Sequence, residues 1–237
     1  MIYKTAIVTG ASRGLGREIA KAFASEGLNV MLAARHEPDL RAVTESLIAE
    51  HGNRIAYTVV DLRSPESISL LFAATRQRFG MADVLVNNAG IGRYKPFTEW
   101  TETEIVDTAA VNLTALMLCT KAVLPEMMAI RRGFIINIAS DLARKFLPNM
   151  SPYVATKFGA LGFSGSLLRE VKSHGIKVCT VMPGIIDTNF NDSQEGSREE
   201  TWALRPEVLA KQIAGLLSLP PHVVQDEMVI HPMQQEF

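Results

Sequence analysis

The sequence predicts a doubly wound α/β fold: one domain built on a mostly parallel seven-stranded sheet with helices on both faces. Three observations carry that prediction. Short β-branched apolar runs recur along the chain with helical stretches between them, the rhythm of parallel strands joined by crossover helices. The runs are apolar nearly throughout rather than alternating, as strands covered on both faces are. A glycine-rich turn separates the first run from the first helical stretch. The 237 residues suffice to bury a large core, and no Pro/Gly/Ser linker, repeat or low-complexity segment divides them, so 1–237 reads as a single domain.

The first strand, Thr5 to Thr9, ends on glycines 10, 14 and 16, which open the first helix. Such a turn lets the backbone bend tightly while amides at the helix start face a pyrophosphate. The spacing is G-x-x-x-G-x-G rather than G-x-G-x-x-G, and glycines also serve plain strand-to-helix turns. Their place between strand and helix favours a Rossmann-type dinucleotide site. The second strand, Val30 to Ala34, ends on Arg35, where an acidic residue would select NAD through the adenosine ribose. Arg35 and Arg13 are expected instead to converge on a 2′-phosphate through charge-assisted hydrogen bonds, so NADP(H) is preferred over NAD(H). The rival reading makes Glu37 the ribose acid and both arginines solvated charges. Strands follow at Ile55 to Val60, Val84 to Val86, Phe134 to Ile138 and Val178 to Val181. Ligands bind beyond the carboxyl ends of such strands, so Gly10, Arg35, Asp61, Asn87, Ser140 and Pro183 are functional candidates. A helix spans Pro152 to Lys172, and another begins near Pro206, whose proline suits a first turn. Between strand end and helix, Asp187 to Thr201 is polar and aperiodic. A mobile substrate lid at about 187–205 is expected there, with an ordinary exposed loop as the alternative.

Composition narrows the partners. Lys and Arg number 24 against 25 Asp and Glu, a formal charge of −1, and no basic tract or amphipathic basic helix is present. Small molecules are therefore expected, with no nucleic acid and no membrane. The first strand begins within a few residues of Met1, and Lys121 interrupts the longest apolar helix, which points to a cytoplasmic protein. Cys119 and Cys179 sit in apolar segments without metal-ligand spacing, so both read as buried reduced thiols and no metal is assigned. His36, His51, His174, His222 and His231 are scattered in mostly polar surroundings and read as solvated surface residues. Met127 and Met128 fit helix-face packing.

The chemistry is carried by Tyr153 and Lys157, one helical turn apart, preceded by Ser140 just past a strand end. A phenol is a poor proton carrier near neutral pH unless a neighbouring positive charge eases its ionisation. Lys157 at i+4 supplies that charge on the same helix face. Tyr-x-x-x-Lys alone is a weak signal, but its company is specific: Thr9-Gly10-x-x-x-Gly14-x-Gly16, Asn87-Asn88-Ala89-Gly90, Asn112, Ser140, and Pro183-Gly184 with Thr188, all in order. With these motifs the chain resembles the short-chain dehydrogenase/reductase family over nearly its whole length.

The resemblance implies an NADP-dependent oxidoreductase acting on CH–OH groups, moving hydride between nicotinamide and a small carbonyl or alcohol. Tyr153 would be the general acid/base, Ser140 would orient the substrate oxygen, and Lys157 would lower the Tyr153 pKa and bind the nicotinamide ribose. Asn112 would complete a water-linked proton relay through Lys157. Cofactor contacts implied are Gly10, Ser12, Arg13, Gly14, Leu15, Gly16, Arg35, Asp61 and Leu62 toward the adenosine and pyrophosphate. Toward the nicotinamide they are Asn88, Ala89, Gly90, Tyr153, Lys157, Pro183, Gly184, Ile186 and Thr188. For Asp61 and Asn87 to Gly90, turn and cap roles alone remain open. Substrate contacts are expected from Arg93, Tyr94, Asp141, Leu142, Arg144, Phe146, Met150 and Phe190.

Three functions stay in play: a carbonyl reductase of small ketones, a 3-oxoacyl-carrier-protein reductase, and a catalytically silent NADP-binding redox sensor. The second would want a basic docking patch, for which Arg131 and Arg132 are candidates unless they are solvated helix-end charges. The tail from Val229 to Phe237 resembles sepiapterin-reductase-like and hydroxy-acid-dehydrogenase-like members. The third is disfavoured because a sensor needs no proton donor. Family members assemble as homodimers or homotetramers through two long helices. Ala155, Gly159, Ala160, Gly162 and Gly165 would permit such packing, or would pack on the sheet within one subunit.

Overall fold

The computed structural model describes residues 2–235. Its seven strands form one sheet in the order β3-β2-β1-β4-β5-β6-β7, with every neighbouring pair parallel. They are β1 (Thr5–Thr9), β2 (Asn29–Ala34), β3 (Ile55–Val59), β4 (Val84–Asn87), β5 (Gly133–Ile138), β6 (Ile176–Pro183) and β7 (Glu227–Ile230). The helices are α1 (Gly14–Ser25), α2 (Glu37–His51), α3 (Pro65–Phe79), α4 (Glu102–Ala109), α5 (Ala115–Ala129), α6 (Ser151–Val171) and α7 (Pro206–Gly215).

Each central strand is buried along its whole length because both of its faces are covered. The two-residue period of a strand decides which face each residue serves. Phe134, Ile136 and Ile138 join Ile19, Phe23, Leu209 and Ile213 in one core, beneath α1 and α7. Ile135 points the other way, to Leu71, Cys119, Val123, Met127 and Leu168 beneath α3, α5 and α6. Each such side chain contributes about 1.5–3 kcal/mol by leaving water.

The order in which strands are added reverses between β1 and β4: β2 and β3 extend the sheet one way and β5 to β7 the other. That reversal opens a crevice at the carboxyl ends, bordered by the glycine turn after β1 and the Asn88–Gly90 turn after β4. At the opposite end, the buried Asp83 accepts the backbone N–H groups of Lys4 (2.8 Å) and Thr5 (3.2 Å) and pairs with Arg132. Arg131 reaches the Ser173 carbonyl at the same end. The turn before β5 lies at the amino ends of the strands, so Arg131 and Arg132 do not form a patch beside the crevice.

Two further expectations change. Lys121 does not cut an apolar helix short: Glu102–Ala129 runs as one helix, long and apolar enough by length and composition to cross a membrane. Its Ala115, Cys119, Val123 and Met127 face is pressed into the core beneath the sheet. The small residues of α6 divide their roles. A side chain at Gly159 would collide with Leu113 of the same chain, Ala160 is fully buried, and Gly162 faces open space.

Candidate active site

Four elements converge where the crevice meets α6. Ser140 follows β5 in extended conformation and caps a short 3-10 turn, Asp141–Ala143. Its Oγ accepts the Leu142 N–H at 3.2 Å and donates to Asp141 Oδ1 at 3.1 Å. The α6 helix begins with Pro152 in its first turn, and its inward face carries Tyr153 and Lys157, both buried. Lys157 Nζ donates to the Ile138 carbonyl at 2.9 Å and lies 5.4 Å from the Tyr153 ring centroid. The amine is thereby fixed to the end of β5, beside Ser140.

Burial governs the ionisation of both groups. It pushes the Tyr153 phenol well above the usual range; the neighbouring Ser140 hydroxyl, able to turn to a phenolate, opposes that shift and the Asp141 carboxylate reinforces it. Burial also lowers Lys157 from 10.5 to about 8. Without cofactor, burial thus disfavours the charged forms of both groups in the same pocket.

Asn112 sits in a π-helical turn, Ala110–Thr114, between α4 and α5. The wider turn aims its amide at the backbone of Ile91: Oδ1 accepts the N–H and Nδ2 donates to the carbonyl, each at 2.8 Å. Nδ2 also reaches Thr156 Oγ1 at 3.2 Å, tying the loop after β4 to α6. A methyl at Gly90 would lie 3.6 Å from Asn112 Oδ1 and 3.7 Å from Lys157 Nζ, so the three groups share one corner. Beside it, Thr9, Asn87, Asn112, Cys119 and Ile138 border a small cavity with room for about one water.

The cofactor residues fit a dinucleotide. Gly10 has φ +66°, and a Cβ there would stand 2.8 Å from Ala89 Cα, so glycine is required where the two turns meet. The N-terminus of α1 has no side-chain cap and no acidic residue in its first turn, leaving its amides for an anion. Asn88 supports this cradle, donating to the Thr9 carbonyl at 2.9 Å, while Thr188 stands against Gly14. Arg13 and Arg35 are exposed. Asp61 is held by Arg63, which also bonds Asp107, and its carboxyl is lowered to about 2 by Arg63, with a smaller pull from Arg35. Glu37, the rival ribose acid, is paired with Arg41 at 2.7 Å on its own helix.

The segment after β6 folds over this site. Its base is closed by the Ile186–Leu204 bridge and by the buried Asp187, which accepts Arg205 and the Gly196 N–H. From it Phe190 leans on the Tyr153 ring, centroids 5.6 Å apart. Gly92 lies beneath: a Cβ there would stand 2.8 Å from Phe190 Cζ and 3.1 Å from Tyr153 Cδ2.

Of the expected substrate residues, Leu142 and Met150 pack with Tyr153 and Val154. The remainder divide. Phe146 is 85% exposed and stacks on Phe158, on a face of α6 turned away from Tyr153, so it does not join the site. Arg93 pairs with Glu104 and Arg144 with Glu227, and Tyr94 is exposed. Two residues absent from the expectations do join it. Gln235 Nε2 donates to Asp141 Oδ2 at 2.9 Å while its Oε1 accepts the Ile185 N–H at 2.8 Å, and His231 Nε2 lies 3.6 Å from the same carboxylate. His231 is thus half-buried at the site rather than a solvated surface residue. His51 is also largely covered, near Glu50.

Comparison with known proteins agrees with this geometry. The family model described as short chain dehydrogenase matches residues 4–199. The chain belongs to the short-chain dehydrogenase family. It is an oxidoreductase of that family, 37% identical over 220 residues to the 3-oxoacyl-acyl-carrier-protein reductase of Vibrio cholerae, covering 93% of this chain and 86% of that one. The Escherichia coli reductase of the same name is 40% identical over 187 residues, 79% and 75% of the respective chains. An alcohol dehydrogenase from the archaeon Thermococcus sibiricus, solved with 5-hydroxy-NADP, superposes with a TM-score of 0.93 at 31% identity over 98% of both chains.

Proposed function

We propose that this short-chain dehydrogenase is an NADPH-dependent reductase of small, largely apolar carbonyl compounds, running in reverse on the matching alcohols. The observation that carries the reading is the buried Tyr153 phenol, beside Ser140, roofed by Phe190 and backed by Lys157. A bound nicotinamide supplies the hydride to the carbonyl carbon. As the carbonyl π bond breaks, negative charge gathers on oxygen; Ser140 orients that oxygen and Tyr153 gives it a proton. Tyr153 is left as phenolate and is reprotonated from solvent through Lys157 and the corner shared with Asn112. Lys157 is also placed to hold the ribose hydroxyls.

Preference for NADPH is supported by Arg13 and Arg35 at the ends of β1 and β2, by the engagement of Glu37 with Arg41, and by the NADP-type ligand in the Thermococcus relative. Leu142, Met150, Val154 and Phe190 give the pocket its apolar character, and pairing of Arg93 and Arg144 with carboxylates weakens any preference for an anionic substrate. A second reading, reduction of 3-oxoacyl thioesters on a carrier protein, is favoured by the names of the Vibrio and Escherichia relatives. Its docking patch is not Arg131 and Arg132, which lie at the far end of the sheet.

The test is NADPH consumption against diketones, quinones, pterins, oxo acids and an acetoacetyl thioester, with Tyr153→Phe as control. Selective turnover that Tyr153→Phe reduces by about 10²- to 10⁴-fold, with NADPH still bound, is the expected result. Normal turnover by Tyr153→Phe refutes the proton-donor role. Fastest turnover of the thioester selects the second reading. Tight NADPH binding with no turnover of any compound would favour a redox sensor.

A further inference from the structure

The Ser140 hydroxyl has one hydrogen, and in this structure it goes to Asp141 Oδ1. Reduction needs the same hydrogen on the substrate oxygen. The strength of the Ser140–Asp141 bond therefore bears directly on turnover. A hydroxyl donating to an unhindered carboxylate closes to about 2.5–2.7 Å; here the separation is 3.1 Å. Oδ2, on the other side of the carboxylate, is engaged elsewhere. It accepts Gln235 Nε2 at 2.9 Å, with His231 Nε2 at 3.6 Å and Lys145 Nζ at 4.0 Å. Asp141 is 8% exposed, so these neighbours, rather than water, set its position. Gln235 is itself fixed, because its Oε1 accepts the Ile185 N–H just after β6. One amide thus joins the loop after β5 to the loop after β6.

We propose that Gln235 is a positioning residue of the reductase site: it holds Asp141 back from Ser140, leaving the serine hydrogen available to the substrate oxygen. The inference rests on the reductase reading and adds the C-terminal segment to the machinery. Without the Gln235 amide the carboxylate closes on Ser140, and the substrate must compete for a stronger bond. That penalty falls on the chemical step. The cofactor contacts at the glycine turn and at Arg35 are not touched by Gln235, whose bonds go to Asp141 and Ile185.

The test compares wild type, Gln235→Ala, Asp141→Asn and the double variant in steady-state carbonyl reduction, with NADPH affinity and thermal unfolding measured for each. Gln235→Ala is expected to lower kcat about tenfold while KM moves less than about threefold. In the Asp141→Asn background the same change should cost less than about twofold, because the residue through which Gln235 acts has lost its charge. Asp141→Asn should also move the pH at which alcohol oxidation rises downward, since the carboxylate no longer opposes Tyr153 ionisation; Lys157, the other charged group at the phenol, is unchanged. If Asp141→Asn does not fold, Gln235→Glu replaces it: a second carboxylate against Asp141 Oδ2 should lower kcat further than Gln235→Ala, and the loss should ease as pH falls. An unchanged kcat in Gln235→Ala, a loss undiminished by Asp141→Asn, or a loss confined to KM or NADPH affinity overturns the proposal. A wild-type protein inert toward every carbonyl compound fails earlier, on the reductase reading itself.

Discussion

Replacing Lys157 with methionine should make the cofactor-free protein more stable at pH 7 while destroying its activity. Burial lowers the lysine from 10.5 to about 8. A difference of that size corresponds to about 3 kcal/mol of folding free energy spent on keeping the ammonium charged. Methionine fills similar volume without charge but leaves the Ile138 carbonyl without its 2.9 Å donor, a loss of about 1 kcal/mol. The net expectation is a gain of about 2 kcal/mol at pH 7. Because the folded-state value lies below the unfolded one, the unfolded chain binds more protons between pH 8 and 10.5, and wild-type stability recovers as pH rises through that window. The advantage of Lys157→Met should therefore vanish by pH 10.5. Urea unfolding of both proteins at pH 7 and pH 10.5 decides the matter, the difference between them cancelling other titrations. A variant no more stable than wild type at pH 7, or a pH-independent difference, would refute the reasoning.

Other expectations follow from the same geometry. Arg35→Ala should weaken NADPH binding about tenfold to a hundredfold and leave NADH binding nearly unchanged, the loss of one charge-assisted contact, as read by fluorescence titration. Gly92→Ala puts a methyl 2.8 Å from Phe190 Cζ and 3.1 Å from Tyr153 Cδ2. It should cut kcat/KM about tenfold, with partial recovery in Gly92→Ala/Phe190→Ala, where the colliding ring is gone. Cys119 and Cys179 are buried, with thiols pushed up to about 12; a disulfide reagent should find no thiol in the native protein and two after denaturation.

What was legible in the sequence is what local chemistry writes there. Ile135 and its neighbours in β5 are apolar but for Asn137 because helices cover both faces, and that near-uniformity betrays a central parallel strand. Tyr153 and Lys157 declare themselves by one turn of helix, and Gly10 by its place after β1. The edge strand β7 was less legible: four half-exposed residues carry neither pattern. Arg132 was misplaced although its position just before β5 already puts it at the amino end of the sheet. Gln235 could not be found by spacing, since it meets Asp141 across 94 residues. That contact depends on the chain returning beside β6, where Gly184 N–H bonds the Ile230 carbonyl. The effect of burial on Tyr153 and Lys157 was likewise invisible, because a sequence shows a charge near a phenol but not the loss of water around both.

The two ends of the described chain differ in what they tolerate. Lys4 is anchored to Asp83 on the side of the sheet away from the crevice, whereas Gln235 is anchored at the crevice mouth between Asp141 and Ile185. A purification tag or fluorescent fusion placed ahead of Lys4 leaves the protein on its quiet side. The same addition made directly after Gln235 starts from a residue bonded to Asp141 and Ile185, so kinetics measured on such a protein would report on the addition as well as the enzyme.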